Sequence, residues 1–281
     1  MKNRQKVDSK EIGLEIGLII GKHLFKTEHL HYGYWTDDLS IDLINFPQAQ
    51  ENYGNFLISQ IPEGTKTILD VGCGVGKLAL NLMNRGHEVD CVSPSPVFTE
   101  HARDLLGSKS YIFECRYEDL QTDNRYDVVL FSESFQYIDL EKALQNSIKF
   151  LNNGGYLLIC DFFKKNAKGE CVLGGGHELE KFYDVVTQNP FKPIKDIDIT
   201  EQTAPTLDMV NNILTEVGHP IWNLVDLYLD SNYHLISKFL HWKFRKKIEK
   251  INRKYFSGER NAENFAIFKS YRLLLYQKVS T

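Results

Sequence analysis

The residues best placed to do chemistry lie in four short strings. The first is Ile68-Leu69-Asp70-Val71-Gly72-Cys73-Gly74-Val75-Gly76, an apolar run ending in an acid and opening into glycines. Glycines at such a turn let the backbone bend sharply and approach a ligand closely, with the amides of a following helix facing it. The second is Phe131-Ser132-Glu133-Ser134-Phe135-Gln136-Tyr137, where polar side chains follow another apolar run. The third, Glu28-His29-Leu30-His31-Tyr32-Gly33-Tyr34-Trp35, packs five aromatic or imidazole rings into seven residues, too irregularly for one helical stripe. The fourth is Gly174-Gly175-Gly176-His177, whose histidine is a candidate general base, with His31 as its competitor.

These strings must be held by larger elements. Short apolar runs at residues 67–71, 88–92, 111–115, 126–131 and 156–161 alternate with helical periods at 77–85, 97–106 and 140–151. Strands alternating with helices of this length predict a parallel sheet covered on both faces, an α/β, Rossmann-like doubly wound fold. Ligands in such sheets bind beyond the carboxyl ends of the strands, where the strand order reverses. An amphipathic helix is predicted over residues 8–26, with Asp8 and Glu11 as its capping box, and another over 48–61, stopped by Pro62. Residues 163–200 read as a long connection containing the glycine triplet. Beyond it come a helix at 207–217, a strand at 221–229, a basic helix at 232–255 and a final strand at 271–277. The expected division is a helical lid (1–62), a nucleotide-binding core (63–162) and a third part (163–281) holding a substrate loop, a cap helix and the completing strands.

The glycine turn alone also fits a dinucleotide pattern, since Gly74 to Ala79 reads Gly-x-Gly-x-x-Ala. Asp70 argues otherwise. A carboxylate at the mouth of a buried strand needs a partner, and the methionine ammonium of S-adenosylmethionine (SAM) is one. The string resembles motif I of the class I SAM-dependent methyltransferases, and the resemblance runs over roughly residues 29–162. It implies SAM contacts from Asp70, Gly72, Cys73, Gly74 and Gly76. It also implies contacts from Ser93 and Pro94 in Cys91-Val92-Ser93-Pro94, where a ribose-binding acid is commoner, and from Ser132. Tyr117, with Glu118, matches the adenine-flanking position after the third strand.

The His-x-Gly-Tyr-Trp string resembles the signature of tocopherol-type small-molecule methyltransferases, and the Ser93 turn resembles geranyl diphosphate methyltransferases and cyclopropane synthases. That resemblance implies that His31, Tyr32 and Tyr34 cover the cofactor. Trp35, Gln136, Tyr137 and His177 are then expected to line the substrate chamber. The expected reaction is in-line methyl transfer from SAM to a small-molecule acceptor, with oxygen ahead of nitrogen and carbon as the acceptor atom. Two rival classes are a methyltransferase of protein or nucleic acid and a non-catalytic protein binding SAM or NADPH.

Composition is that of an ordinary globular chain of 281 residues, 42% hydrophobic and 25% charged, with net charge −4. That balance gives no reason to expect a nucleic-acid partner or an anionic one, apart from the basic run near 238–254. The five cysteines form no zinc spacing and His29-x-His31 has no matching acidic or cysteine cluster, so no metal is expected. The early apolar run at 12–20 is too short to span a bilayer and lacks a cleavage site, so a cytoplasmic protein without stable membrane insertion is expected.

Overall fold

The computed structural model describes residues 9–279, with side chains from Ile12 onward; the Asp8–Glu11 capping box lies outside them. Helix α1 (Ser9–Ile20) runs into a π-helical turn, and α2 (Phe46–Ser59) follows an extended segment. The alternating region is β1 (Thr67–Val71), α3 (Lys77–Asn84), β2 (Glu88–Val92), α4 (Pro96–Leu106), β3 (Ile112–Phe113), β4 (Tyr126–Ser132), α5 (Leu140–Phe150) and β5 (Leu151–Lys164). After it come α6 (Leu179–Thr187), β6 (Phe191–Asp198), α7 (Thr200–Thr203), α8 (Pro205–Asn212), α9 (His219–Asn232), α10 (His234–Ile251), α11 (Ala262–Phe268) and β7 (Lys269–Lys278).

The seven strands form one sheet in the order β3-β2-β1-β4-β5-β7-β6. The first five are parallel, and β7 slots between β5 and β6, antiparallel to both. Side-chain alternation explains why both faces are covered. Ile68, Val128, Leu130, Leu158, Leu273 and Leu275 point into one apolar layer, closed by Tyr53 and Leu57 of α2 and Leu78 and Leu82 of α3. Leu69, Val129, Phe131, Leu157, Ile159 and Leu274 point into the other, closed by Leu144 of α5 and Phe182 of α6.

One expectation is corrected. Residues 221–229 are helical, in α9, and not a strand. Ile221, Leu224, Val225 and Tyr228 recur at three- and four-residue spacing, which the apolar density of the run masks. The connection 163–200 also carries its own structure, α6 and the edge strand β6. Pro193 fits there because an edge strand can leave one backbone position without an N–H donor. The helical insertion between β6 and β7 includes α9 and α10, which form an antiparallel hairpin.

Candidate active site

The strand order reverses between β1 and β4, and the loops leaving these two strands are knitted together. Val71 pairs with Phe131, Gly72 N–H donates to Val92 O over 2.8 Å, and Ser134 Oγ donates to Val71 O. Gly72 has φ +81°, and a Cβ there would stand 2.4 Å from Ser134 Cβ, so only glycine lets the two loops meet. Gly76, at φ +85°, enters α3. A cleft opens over these loops. Its walls include Asp70 at the end of β1, Gly72, Cys73 and Gly74 from the loop after it, Ser93 and Pro94 from the turn after β2, Phe98 from the first turn of α4, and Ser132, Glu133 and Tyr137 from the end of β4 and beyond. Leu14, Glu28 and His29 to His31 close the remaining side.

Asp70 is the clearest chemical feature of this cleft. It is 1% exposed, its Oδ2 has no hydrogen-bond partner, and burial pushes its carboxyl up to about 7. A buried carboxylate without a partner is costly and fits a cation placed against it. The methionine ammonium of SAM fits this position, while the open glycine backbone and the Ser93–Pro94 turn fit the adenosine portion.

Glu133, in the left-handed region at φ +54°, was not among the residues singled out from sequence. Its Oε1 accepts from Tyr32 N–H at 2.7 Å and from Tyr271 Oη–H at 2.6 Å. Burial raises its carboxyl to about 8, opposed by those two donors. Tyr271 Oη also lies 3.1 Å from Tyr53 Oη, and Tyr53 Oη lies 3.2 Å from Ser132 Oγ, so a polar chain runs from this carboxylate under the cleft floor. The only signal in the sequence was an acid two residues beyond the fourth apolar run.

The N-terminal segment is cradled by α2. Buried Gln50 donates to His31 O (2.6 Å) and accepts from Thr27 Oγ1 (2.7 Å), while Tyr34 N–H donates to Ala49 O (2.7 Å). Glu28 pairs with Lys77 at the start of α3 (2.7 Å) and with Lys22 (3.1 Å), and both hold its carboxyl below its ordinary range. His31 faces the cleft, stacked on Tyr53 at 4.4 Å. Its Nδ1 lies 2.8 Å from Tyr32 O and its Nε2 3.2 Å from His29 Nδ1. Burial, aided by the His29 ring, lowers it to about 3.

The other expected residues divide. Tyr32 contributes its amide to Glu133 and its ring to a cluster with Phe162, Phe265 and Tyr271. Tyr34 stacks on Phe56, and Trp35 is buried with its indole N–H donating to Thr206 Oγ1 at 3.0 Å, so both rings anchor the segment. Tyr117 is a core residue, its ring edge-on to Phe131 and its hydroxyl 3.2 Å from Ser147 Oγ; neither it nor Glu118 lines the cleft. Gln136 is pinned to buried Asp161 through its amide N–H and side chain (3.0 and 3.1 Å). His177 Nε2 lies 3.1 Å from Phe135 O, outside the cleft lining. Gly175 and Gly176 pack tightly, since a Cβ on Gly175 would stand 2.2 Å from Gln136 Oε1 and one on Gly176 2.8 Å from Phe162 O, and Lys269 Nζ donates to Gly175 O at 2.7 Å. Among the described residues no histidine, cysteine and carboxylate cluster has the makings of a metal site.

A seven-stranded sheet with β7 inserted antiparallel between β5 and β6, a cleft at its switch point and an unpartnered acid at the end of β1 defines the class I methyltransferase architecture. Comparison with known proteins agrees. Residues 69–159 match the methyltransferase domain family. Methyltransferase GfsG of Streptomyces halstedii is 28% identical over 202 residues, 64% of this chain and 72% of that one. A ubiquinone biosynthesis O-methyltransferase of Rickettsia bellii is 23% identical over 235 residues, 76% and 94% of the two chains. The fold also matches that of geranyl diphosphate C-methyltransferase from Streptomyces coelicolor, with a TM-score of 0.67 at 15% identity, covering 98% of this chain and all of that one. The chain is a class I SAM-dependent methyltransferase.

Proposed function

We propose that the chain methylates a small-molecule acceptor, with a hydroxyl oxygen as the first candidate nucleophile, and that Glu133 receives the proton. The observation that carries this reading is the pair of buried carboxylates on one cleft: Asp70, with no partner of its own, and Glu133, oriented by two donors. SAM supplies an electrophilic methyl group on a sulfonium when bound. Asp70 then holds the ammonium, Ser93 a ribose hydroxyl, and Pro94 and Phe98 the faces of the adenine. Ser132 lies at the reacting end, and Tyr137 stands at the cleft mouth. His31 serves as a neutral wall, because both its nitrogens are engaged. The chain's work is chiefly alignment and exclusion of water, with proton removal added for a hydroxyl.

A carboxyl that titrates near 8 is a stronger base than an ordinary glutamate and suits this role at neutral to mildly alkaline pH. The relative acting in ubiquinone biosynthesis, an O-methyltransferase by name, supports the choice of oxygen. Calorimetric titration with SAM, S-adenosylhomocysteine and NADPH tests the cleft assignment. The two adenosyl ligands should bind in the micromolar range, with SAM binding lost in Asp70→Ala; preference for NADPH would overturn it. A hydroxyl-acceptor screen follows, in which turnover confined to amines would overturn the oxygen assignment.

A further inference from the structure

Helices α9 and α10 form an antiparallel arm joined at Tyr233. They hold each other through His241 Nε2 and Asp226 (2.7 Å), and the α9 start is tied to the α10 extension by the stacking of His219 on Phe256 (5.1 Å). No side chain of α9 is buried, and only Ser237 is buried in α10. No residue of either helix lines the cleft. The exposed residues include Leu224, Leu227, Leu235 (82% exposed), Phe239 and Trp242 (77% exposed). A contiguous apolar surface left in water marks an interaction site.

The pattern along α10 identifies the partner. Leu235, Phe239, Trp242, Lys246 and Lys250 recur at three- and four-residue spacing and therefore share one stripe. Its first half, at the tip of the arm, is apolar, and its second half is basic. At 1.5 Å per residue the apolar half is about 10 Å long, so an arm entering tip-first carries its apolar side chains to the headgroup boundary and leaves the basic half outside. Lys243 Nζ lies over the rings of Phe239 (5.5 Å) and Phe244 (5.7 Å), at the change from apolar to basic. Residues 234–256 carry eight lysines and arginines against Glu249 alone, in a chain of net charge −4.

Two other partners fit less well. Helix α9 has no lysine or arginine and exposes apolar side chains, so the arm offers no two-sided cationic groove for nucleic acid. Pairing with the arm of a second copy would leave the basic half without acids to meet. The acids of the two helices are already engaged, Asp226 with His241, Asp230 with His234 and Glu249 with Arg245.

We propose that this arm docks the enzyme on an anionic lipid bilayer. Its tip residues Leu235, Phe239 and Trp242 enter the interface, and Lys246 and Lys250 meet lipid phosphates. This inference goes beyond methyl transfer and does not depend on it.

The test is co-flotation of the full chain with vesicles of phosphatidylcholine, alone or mixed with phosphatidylglycerol. The native chain should float with the mixed vesicles only, and high salt should release it. Leu235→Asp/Trp242→Asp and Lys246→Glu/Lys250→Glu should each lower partitioning roughly tenfold or more while SAM affinity stays unchanged, which reports an intact core. Absence of vesicle binding by the native chain, or equal binding by folded variants, overturns the proposal. So does arm-dependent dimerisation or retention on duplex DNA without vesicle binding.

Discussion

Replacing Asp70 by asparagine should make the ligand-free enzyme more stable and nearly blind to SAM. The carboxyl titrates at about 7 in the fold against an ordinary value of 3.8, with burial as its only cause. At 1.36 kcal/mol per pH unit, the ionised group costs the fold up to about 4 kcal/mol above neutral pH. An asparagine amide in the same place still lacks partners, which returns about 1–3 kcal/mol of that gain. The net expectation is a stabilisation of about 1–3 kcal/mol, seen as a rise in Tm of roughly 2–6 °C for a chain of this size. The sign with pH follows from the raised value. The unfolded chain ionises near 3.8 and the folded one only near 7, so the penalty grows between those limits and is constant above them. The advantage of Asp70→Asn should therefore vanish below about pH 4 and be complete above pH 7. SAM affinity should fall by about 10²–10⁴, since removing one side of a buried charge pair costs about 3–5 kcal/mol. Thermal denaturation across pH, with and without SAM, reads both effects. A variant that is less stable without ligand at pH 7.5, or that keeps its SAM affinity within a few-fold, would refute the reasoning.

Other outcomes follow from the same geometry. The rate at subsaturating acceptor should rise with pH through about 8, the value of the Glu133 carboxyl. In Glu133→Gln that limb should disappear and kcat fall by about 10²–10⁴, the usual worth of a general base. An unchanged pH profile would remove Glu133 from the proton path. Gly33→Ala would put a Cβ 2.6 Å from Ala49 Cβ and 3.1 Å from Trp35 Nε1. It should lift the N-terminal segment off α2, raising the KM for SAM several-fold, with increased protease cleavage near residue 33 as the check. Thr206→Val removes the acceptor shared by Gly33 N–H and Trp35 Nε1–H, and should destabilise the fold by about 1–3 kcal/mol in urea unfolding.

The core was legible in the sequence because local chemistry and fold agree there. Four of the first five apolar runs became strands within a few residues of the expected bounds, and Asp70 with its glycines sits at the switch point as the motif required. Only the third strand shrank to Ile112–Phe113 at the sheet edge. Legibility failed where long-range contacts decide. Nothing local shows that Trp35 is claimed by Thr206, 171 residues away, or that Gln136 is held by Asp161. Glu133 looked like one polar residue among several, and its role emerges only when Tyr32 and Tyr271 converge on it from opposite ends of the chain. The run at 221–229 was misread because residues exposed on nearly every side of a helix carry no periodic burial signal.

The central claim is that a methyl group passes from SAM to a small molecule. Its most direct test is incubation of the enzyme with SAM bearing a trideuterated methyl group and fractionated small metabolites, followed by mass spectrometry. The expected result is S-adenosylhomocysteine in equal amount to a labelled small product, absent with Asp70→Asn. Label recovered only in protein or nucleic acid, or SAM bound without any turnover across the fractions, would contradict the account.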